Sequence, residues 1–214
     1  VHSNLGNAFR AVGRTDAAIA CFRRAIDINP DCFEALVGLT EALQAERRFD
    51  ELVEDIRLVL EKRPDSAPVH NNLGIALNAA GQIKDALENH RRALDIDPGF
   101  AAAHHQLGCC LQSLGQHDEA MESYRRALEI DPDLIDSLSN LGNELMELGR
   151  PDEAAVLFQH ALTGKPDLAA AHFNLGTAYN QLGQLDSAID CFREALRFKP
   201  DFAGAYNNLG VAQN

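Results

Sequence analysis

The chain has 214 residues, of which 46% are hydrophobic, and a formal net charge of −13. The hydrophobic fraction is sufficient for a folded core, so composition excludes a disordered chain. The acidic excess argues against a nucleic-acid backbone or an anionic membrane surface as the partner. No apolar run approaches the length of a membrane span, and no signal peptide is visible.

A period of 34 residues organises the whole sequence. Prolines recur at this interval, at Pro30, Pro64, Pro98, Pro132, Pro166 and Pro200. Leucines recur in the same register, at Leu5, Leu39, Leu73, Leu107, Leu141, Leu175 and Leu209. Glycine follows six of these leucines directly, and Thr40 follows the other. A second glycine stands at Gly13, Gly81, Gly115, Gly149 and Gly183, and alanines stand at two further positions of most periods.

Each period predicts two helices. In the third, apolar residues recur at helical spacing between residues 67 and 80, and Gly81 then favours the end of this helix. A second helix is predicted over residues 84–97, and Pro98 ends it. Aspartates near the start of second helices suit the N-cap position, at Asp16, Asp118, Asp152 and Asp186. A helix pair with one apolar side cannot bury that side alone, so the pairs are expected to stack.

The order Leu-Gly, Gly, Ala, Ala, Pro at a period of 34 resembles the tetratricopeptide repeat. The resemblance implies an all-α, right-handed superhelical solenoid of antiparallel helix pairs. We expect a single array of six repeats and the first helix of a seventh, over residues 1–32, 33–66, 67–100, 101–134, 135–168, 169–202 and 203–214. Because the sequence begins at Val1 within a helix and ends at Asn214 inside another, we expect a segment of a longer chain.

The second repeat departs from the pattern. Thr40 and Arg47 replace its two glycines, and Leu52 and Val59 replace its two alanines. Larger residues at these contacts could push the helices apart and shape a binding surface, or they could be ordinary drift with compensated packing. Because the larger residues overpack these contacts unless the packing is fully compensated, this repeat is predicted to be the weakest of the array.

Nothing in the sequence predicts an enzyme or a cofactor. Phosphate-binding glycine loops, zinc-protease motifs and nucleophile elbows are all missing from it. The five cysteines show no CxxC spacing, which favours free thiols in a reducing compartment and a cytoplasmic location. His105 and Cys109 share one helical face, but two ligands without a third do not make a metal site, so none is predicted.

The resemblance also implies that the first helix of each pair lines a concave groove. Two residues before each Leu-Gly glycine, an amide side chain recurs in all but one repeat, and we call these six positions the amide ladder: Asn4, Asn72, Gln106, Asn140, Asn174 and Asn208. Because an amide both donates and accepts, it can pair with the backbone of an extended peptide. The ladder looks like that of O-linked N-acetylglucosamine transferases. The alternative is that asparagine merely suits an exposed position and binds nothing.

The charges of the predicted groove residues indicate which kind of peptide the groove would bind. The predicted groove positions hold Glu34, Glu41, Asp136 and Glu147 against one base, Arg10. Some members of this family bind the C-terminal carboxylate of a partner with groove lysines and arginines. Such a carboxylate clamp needs positive donors, and we do not expect one here. The acidic balance favours a neutral to basic peptide.

These observations predict a protein–protein interaction scaffold that binds an extended peptide in its concave groove, as the recognition or targeting part of a larger protein. One alternative is a structural solenoid that self-associates end to end through its terminal helices and has no groove ligand. A further alternative is the substrate-binding part of an O-linked glycosyltransferase.

Overall fold

A computed structural model describes residues 1–30 and 32–213, and this part of the chain contains thirteen helices and no strand. The predicted all-α class is therefore confirmed. The helices are α1 (His2–Ala11), α2 (Thr15–Ile28), α3 (Phe33–Ala45), α4 (Phe49–Lys62), α5 (Ala67–Ala79), α6 (Ile83–Ile96), α7 (Ala101–Ser113), α8 (His117–Ile130), α9 (Ile135–Glu147), α10 (Pro151–Gly164), α11 (Ala169–Gln181), α12 (Leu185–Phe198) and α13 (Ala203–Ala212). Over the described residues, none of these helices has the length and apolarity needed to cross a membrane.

The turns between paired helices explain the regular glycines. Five of them adopt the left-handed backbone conformation, with φ between 69° and 79°: Gly13, Gly81, Gly115, Gly149 and Gly183. A residue without a Cβ takes this conformation at little cost, so the first helix ends there and the chain reverses. The helices predicted over residues 67–80 and 84–97 match α5 and α6 to within one residue at each end.

The predicted N-caps are wrong. Asp16, Asp118, Asp152 and Asp186 lie inside the first turn of their helices, and none of the residues at the actual N-cap positions makes a side-chain capping bond. The helix already begins one residue before each aspartate. The carboxylates therefore act through their charge, which the partial positive charge of a helix N-terminus stabilises.

The chain divides into two compact units, Val1–Gly115 and Gln116–Asn214. The first unit contains the pairs α1–α2, α3–α4 and α5–α6, followed by α7. Its core includes the fully buried side chains of Phe22, Leu39, Leu43, Leu52, Ile56 and Leu77. A salt bridge from Arg23 on α2 to Asp55 on α4, and another from Asp16 on α2 to Arg48 at the N-cap of α4, connect the first two repeats.

The second unit contains α8, the pairs α9–α10 and α11–α12, and α13. Its largest fully buried side chains are Tyr124, Phe158, Phe192 and Leu138. Phe192 shows how a pair is held: a Cβ added to Gly176 would lie 2.7 Å from the ring, so only glycine lets the two helices approach this closely. The same position in every period carries a large side chain, at Phe22, Ile56, His90, Tyr124, Phe158 and Phe192.

Candidate protein-binding surface

In the second unit the amide ladder is built into contacts between successive first helices. Asn140, Asn174 and Asn208 are half-buried on α9, α11 and α13. Asn174 donates from Nδ2 to Oδ1 of Asn143 on the preceding first helix at 2.9 Å. Asn208 donates in the same way to Oγ1 of Thr177 at 3.5 Å. The second unit therefore repeats one polar link at equivalent points, and we call the surface formed here by α9, α11 and α13 the first-helix face.

Each link fixes the orientation of an amide that has further hydrogen-bonding capacity. An asparagine side chain offers two N–H donors and an oxygen with two lone pairs, and the bond from Asn174 to Asn143 uses one donor of Asn174. Asn140 differs, since its Nδ2 lies 3.5 Å from the hydroxyl of Tyr124 on α8. The sequence predicted the positions of these amides but not their links.

In the first unit the ladder is less regular. Asn72 and Gln106 are half-buried, whereas Asn4 on α1 is exposed. Gly38 interrupts the series, and a Cβ added there would lie 2.5 Å from the Phe22 ring. The position without an amide is therefore a point where α3 closely approaches α2.

Two of the acidic residues predicted to line the groove have side-chain partners, and the other two are exposed. Arg10 pairs with Glu41, so the one predicted base is matched by an acid on the neighbouring first helix. Glu34 accepts a hydrogen bond from Nδ2 of Asn7 at 3.2 Å. Asp136 and Glu147, at opposite ends of α9, are exposed. A peptide near Glu34 and Glu41, or near Asp136 and Glu147, would therefore contact a surface that is neutral or acidic.

Three histidines stand at the same position of their 34-residue periods, and all three have a structural role. The Nε2 atoms of His70, His104 and His172 lie 2.9, 3.0 and 2.8 Å from the backbone oxygens of Pro64, Pro98 and Pro166. Each ring donates its Nε2–H to the turn that precedes its helix, because a carbonyl oxygen can only accept. Sequence reasoning did not predict this bond, because its acceptor is a backbone atom.

The cysteines within the described residues are free thiols. Burial raises the pKa of Cys110 and of Cys191 to about 11, so both stay protonated and unreactive near neutral pH. Cys109 Sγ lies 3.5 Å from His105 Nε2, which confirms that these two side chains share one helical face.

A different group of potential metal ligands comes together in the second unit. His117, Glu144 and Glu147 each offer one ligand atom, and these atoms all lie within 4.8 Å of one another. His117 is the first residue of α8, and the two glutamates lie in the last turn of α9. The sequence did not predict this cluster, since His117 and Glu144 are 27 residues apart.

Comparison with known proteins agrees with the repeat pattern. Models described as tetratricopeptide or TPR repeats match residues 1–32 and 101–134, residues 71–96, and residues 142–183 and 176–213. A comparison with curated proteins finds no match.

Several solved structures share the fold. A chain of the APC/C hetero-tetramer Cut9–Hcn1 covers 100% of this chain with 42% of its own length, at 17% identity and a TM-score of 0.80. The MamA protein is 23% identical, with a TM-score of 0.65 over 78% of this chain and 92% of its own. A thermophilic TPR protein of Thermus thermophilus is 26% identical, with a TM-score of 0.66 over 84% of this chain and 97% of its own.

These likenesses confirm the predicted fold class, a solenoid of helix pairs. The repeat models and the 34-residue period agree over both units. The chain belongs to the tetratricopeptide repeat family and is a protein–protein interaction scaffold.

Proposed function

We propose that the first-helix face of the second unit binds an extended peptide, with Asn140, Asn174 and Asn208 pairing with its backbone. The observation that supports this proposal most directly is the hydrogen bond from Asn174 to Asn143. A side chain that is already oriented loses less conformational entropy when it binds a ligand. The link therefore prepares Asn174 for binding as well as joining two helices.

The spacing of the amides suits an extended backbone. Packed helices lie about 8–10 Å apart, and an extended chain rises about 3.3 Å per residue. Consecutive amides on α9, α11 and α13 would therefore meet the peptide about every three residues. Since amides would contact backbone groups, binding would depend little on the peptide sequence.

The preferred peptide is neutral to basic. Asp136 and Glu147 are exposed on α9, and the net charge of the whole chain is −13. Complementary charge raises the association rate and selects among partners. If the six repeats form a single array, as the sequence predicts, the same binding mode extends to Asn4, Asn72 and Gln106 of the first unit.

The test is calorimetric titration of a panel of extended peptides into the wild type and the Asn140→Ala, Asn174→Ala double variant. Each lost hydrogen bond should cost about 0.5–1.5 kcal/mol. The affinity should therefore fall about 5- to 150-fold. The loss should be similar for peptides of different sequence.

Two further variants separate binding from structure. Gln184→Ala removes an exposed amide at the N-cap of α12, outside the first-helix face, and should leave the affinity unchanged. Asn143→Ala removes only the partner of Asn174, so it should weaken peptide binding less than Asn174→Ala does. If Asn143→Ala and Asn174→Ala lower the melting temperature equally and neither changes the affinity, the amides are structural and the proposal is wrong.

One observation favours the structural alternative. On α13, Tyr206 and Val211 have 57% and 63% of their surface exposed, although both are apolar enough to pack against another helix. Self-association through this helix would appear as a concentration-dependent sedimentation coefficient in the peptide-free samples. The role as substrate-binding part of an O-linked glycosyltransferase stays a prediction.

A further inference from the structure

The cluster of His117, Glu144 and Glu147 contains a carboxylate in an unusual environment. The Glu144 side chain is 2% exposed. Its Oε2 lies 2.8 Å from Nδ1 of His117, and its buried Oε1 has no hydrogen-bond partner among the residues that the structure describes. Leaving an oxygen of a buried carboxylate without a partner is costly, so the site has capacity for a positive ligand.

The repeat itself shows that Glu144 is exceptional. The equivalent position of the other periods carries a small residue, at Ala8, Ala42, Ala76, Cys110, Ala178 and Ala212. Most of these residues are buried, with Ala76, Cys110 and Ala178 at 0% exposure. The fold therefore needs only a small side chain here, and helix packing does not account for the glutamate.

His117 is exceptional in the same way. The first residue of the second helix is Thr15, Phe49, Ile83, Pro151 or Leu185 in the other repeats, and none of these has an ionisable side chain. Two unusual residues from adjacent repeats thus meet at one point. Glu147, three residues after Glu144, is exposed and adds a third donor within 4.8 Å.

We propose that His117, Glu144 and Glu147 bind a first-row divalent cation, of which Zn²⁺ is the best fit. Zinc accepts imidazole nitrogen and carboxylate oxygen at about 2.0–2.2 Å. Two ligands of one tetrahedral ion are then about 3.4 Å apart. Nδ1 of His117 and Oε2 of Glu144 are 2.8 Å apart, and all three donors lie within 4.8 Å of one another, so small side-chain movements, above all of the exposed Glu147, would bring them to this spacing. Magnesium and calcium prefer oxygen ligands alone, so the imidazole selects against them.

The cation would occupy the position that the buried carboxylate leaves uncompensated. Bidentate ligation by Glu144 would also satisfy its Oε1, which no group within residues 1–30 and 32–213 does. Because His117 lies on α8 and both glutamates on α9, the ion would join the second helix of one repeat to the first helix of the next.

The experiment is calorimetric titration of Zn²⁺ into the full chain, with melting curves in the presence and absence of the metal. We expect one Zn²⁺ per chain, a higher melting temperature with zinc, and no displacement by excess Mg²⁺. Glu147→Gln changes an exposed residue and should weaken zinc binding more than about 10-fold, since even outer contacts of metal sites have effects of this size.

Two variants serve as controls. His160→Ala removes a histidine from a similar contact, in which Nε2 lies 3.0 Å from Asp133 Oδ1, and should leave zinc affinity unchanged. Glu144→Ala introduces the residue found in other repeats, so it should fold at least as stably without metal and lose zinc binding.

Two results would overturn the proposal. Zinc binding that His160→Ala weakens as much as Glu147→Gln would place the metal elsewhere. Failure of the wild type to bind zinc, with a melting temperature that the metal does not change, would show that His117 and Glu144 form only a hydrogen bond with each other.

Discussion

Repeats two and six have helices of equal length but different cores. α3 and α11 have 13 residues each, and α4 and α12 have 14. In repeat six, Phe192 is fully buried beside Gly176, and Ala188 and Ala195 are also at 0% exposure. A large ring is thus accommodated by small neighbours.

Repeat two has the same helices, but its central core side chain is smaller than that of repeat six and the neighbouring side chains are larger. Ile56 stands where repeat six has Phe192, and the neighbouring Leu52 and Val59 stand where it has alanines. All three side chains in repeat two are at 2% exposure or less. The comparison teaches that the period specifies the helices, whereas the division of core volume among positions can vary if the total is kept.

The largest expected effect comes from breaking the core of repeat six. Phe192→Ala should lower the free energy of unfolding by about 3–5 kcal/mol, because small neighbours cannot fill the cavity. Urea denaturation followed by circular dichroism measures this loss. Phe192→Ile combined with Gly176→Thr, Ala188→Leu and Ala195→Val reproduces the repeat-two core and should recover most of it. No recovery would show that the two cores are not interchangeable.

The next largest effect concerns repeat three, whose core has a histidine at its centre where repeats two and six have Ile56 and Phe192. His90 is fully buried at the position that holds Phe192 in repeat six, and its Nδ1 donates to Asn71 Oδ1 at 3.0 Å. Burial, with a smaller contribution from the charge of His105, lowers the pKa of His90 from 6.5 to about 4. Between these values the unfolded state binds more protons than the folded state, so stability should fall as pH decreases from 6.5 to 4.

The size of this effect should be about 3 kcal/mol, since one unit of pKa shift corresponds to about 1.4 kcal/mol. Urea midpoints between pH 8 and pH 4 measure it. His90→Phe supplies the residue of repeats one, five and six and should flatten the profile over this range. Parallel profiles for the wild type and His90→Phe would contradict the prediction.

The smallest effect concerns the turn of repeat two. Arg47 has a φ of 56°, the left-handed conformation that glycine adopts in the other complete repeats. Arg47→Gly should therefore stabilise the protein by about 1 kcal/mol. The reverse change, Gly81→Arg in repeat three, should destabilise it by a similar amount, because no atom of the described part of the chain lies within 4 Å of the added Cβ and only the backbone is strained.

Hydrogen exchange tests where this strain acts. Exchange should be faster across residues 33–64 than across residues 101–132, and Arg47→Gly should reduce the difference. Equal exchange in the two segments of the wild type would show that repeat two has repacked completely.

The repeat predicted most of the fold because its signals are local. Helical spacing, Gly81 and Pro98 placed α5 and α6 to within one residue at each end. The N-caps were wrong because aspartate is favourable both at the cap and in the first turn, and sequence alone does not distinguish these positions.

The site was less predictable, since its contacts join different repeats. The bond from Asn174 to Asn143 depends on how successive helices stack. Glu144 did carry a signal, because it breaks a column of small residues in the aligned periods. Its meeting with His117 required the structure, because the two positions belong to different repeats and different columns.

The bond between a histidine and a proline carbonyl has a consequence for how such a chain can grow. His70 and Pro64 are six residues apart, so the turn that they close contains both partners. A genetic duplication of any 34-residue stretch containing this turn copies donor and acceptor together. Each copy of the turn between repeats thus keeps its hydrogen bond. A longer array can therefore arise without new mutations to stabilise each added turn.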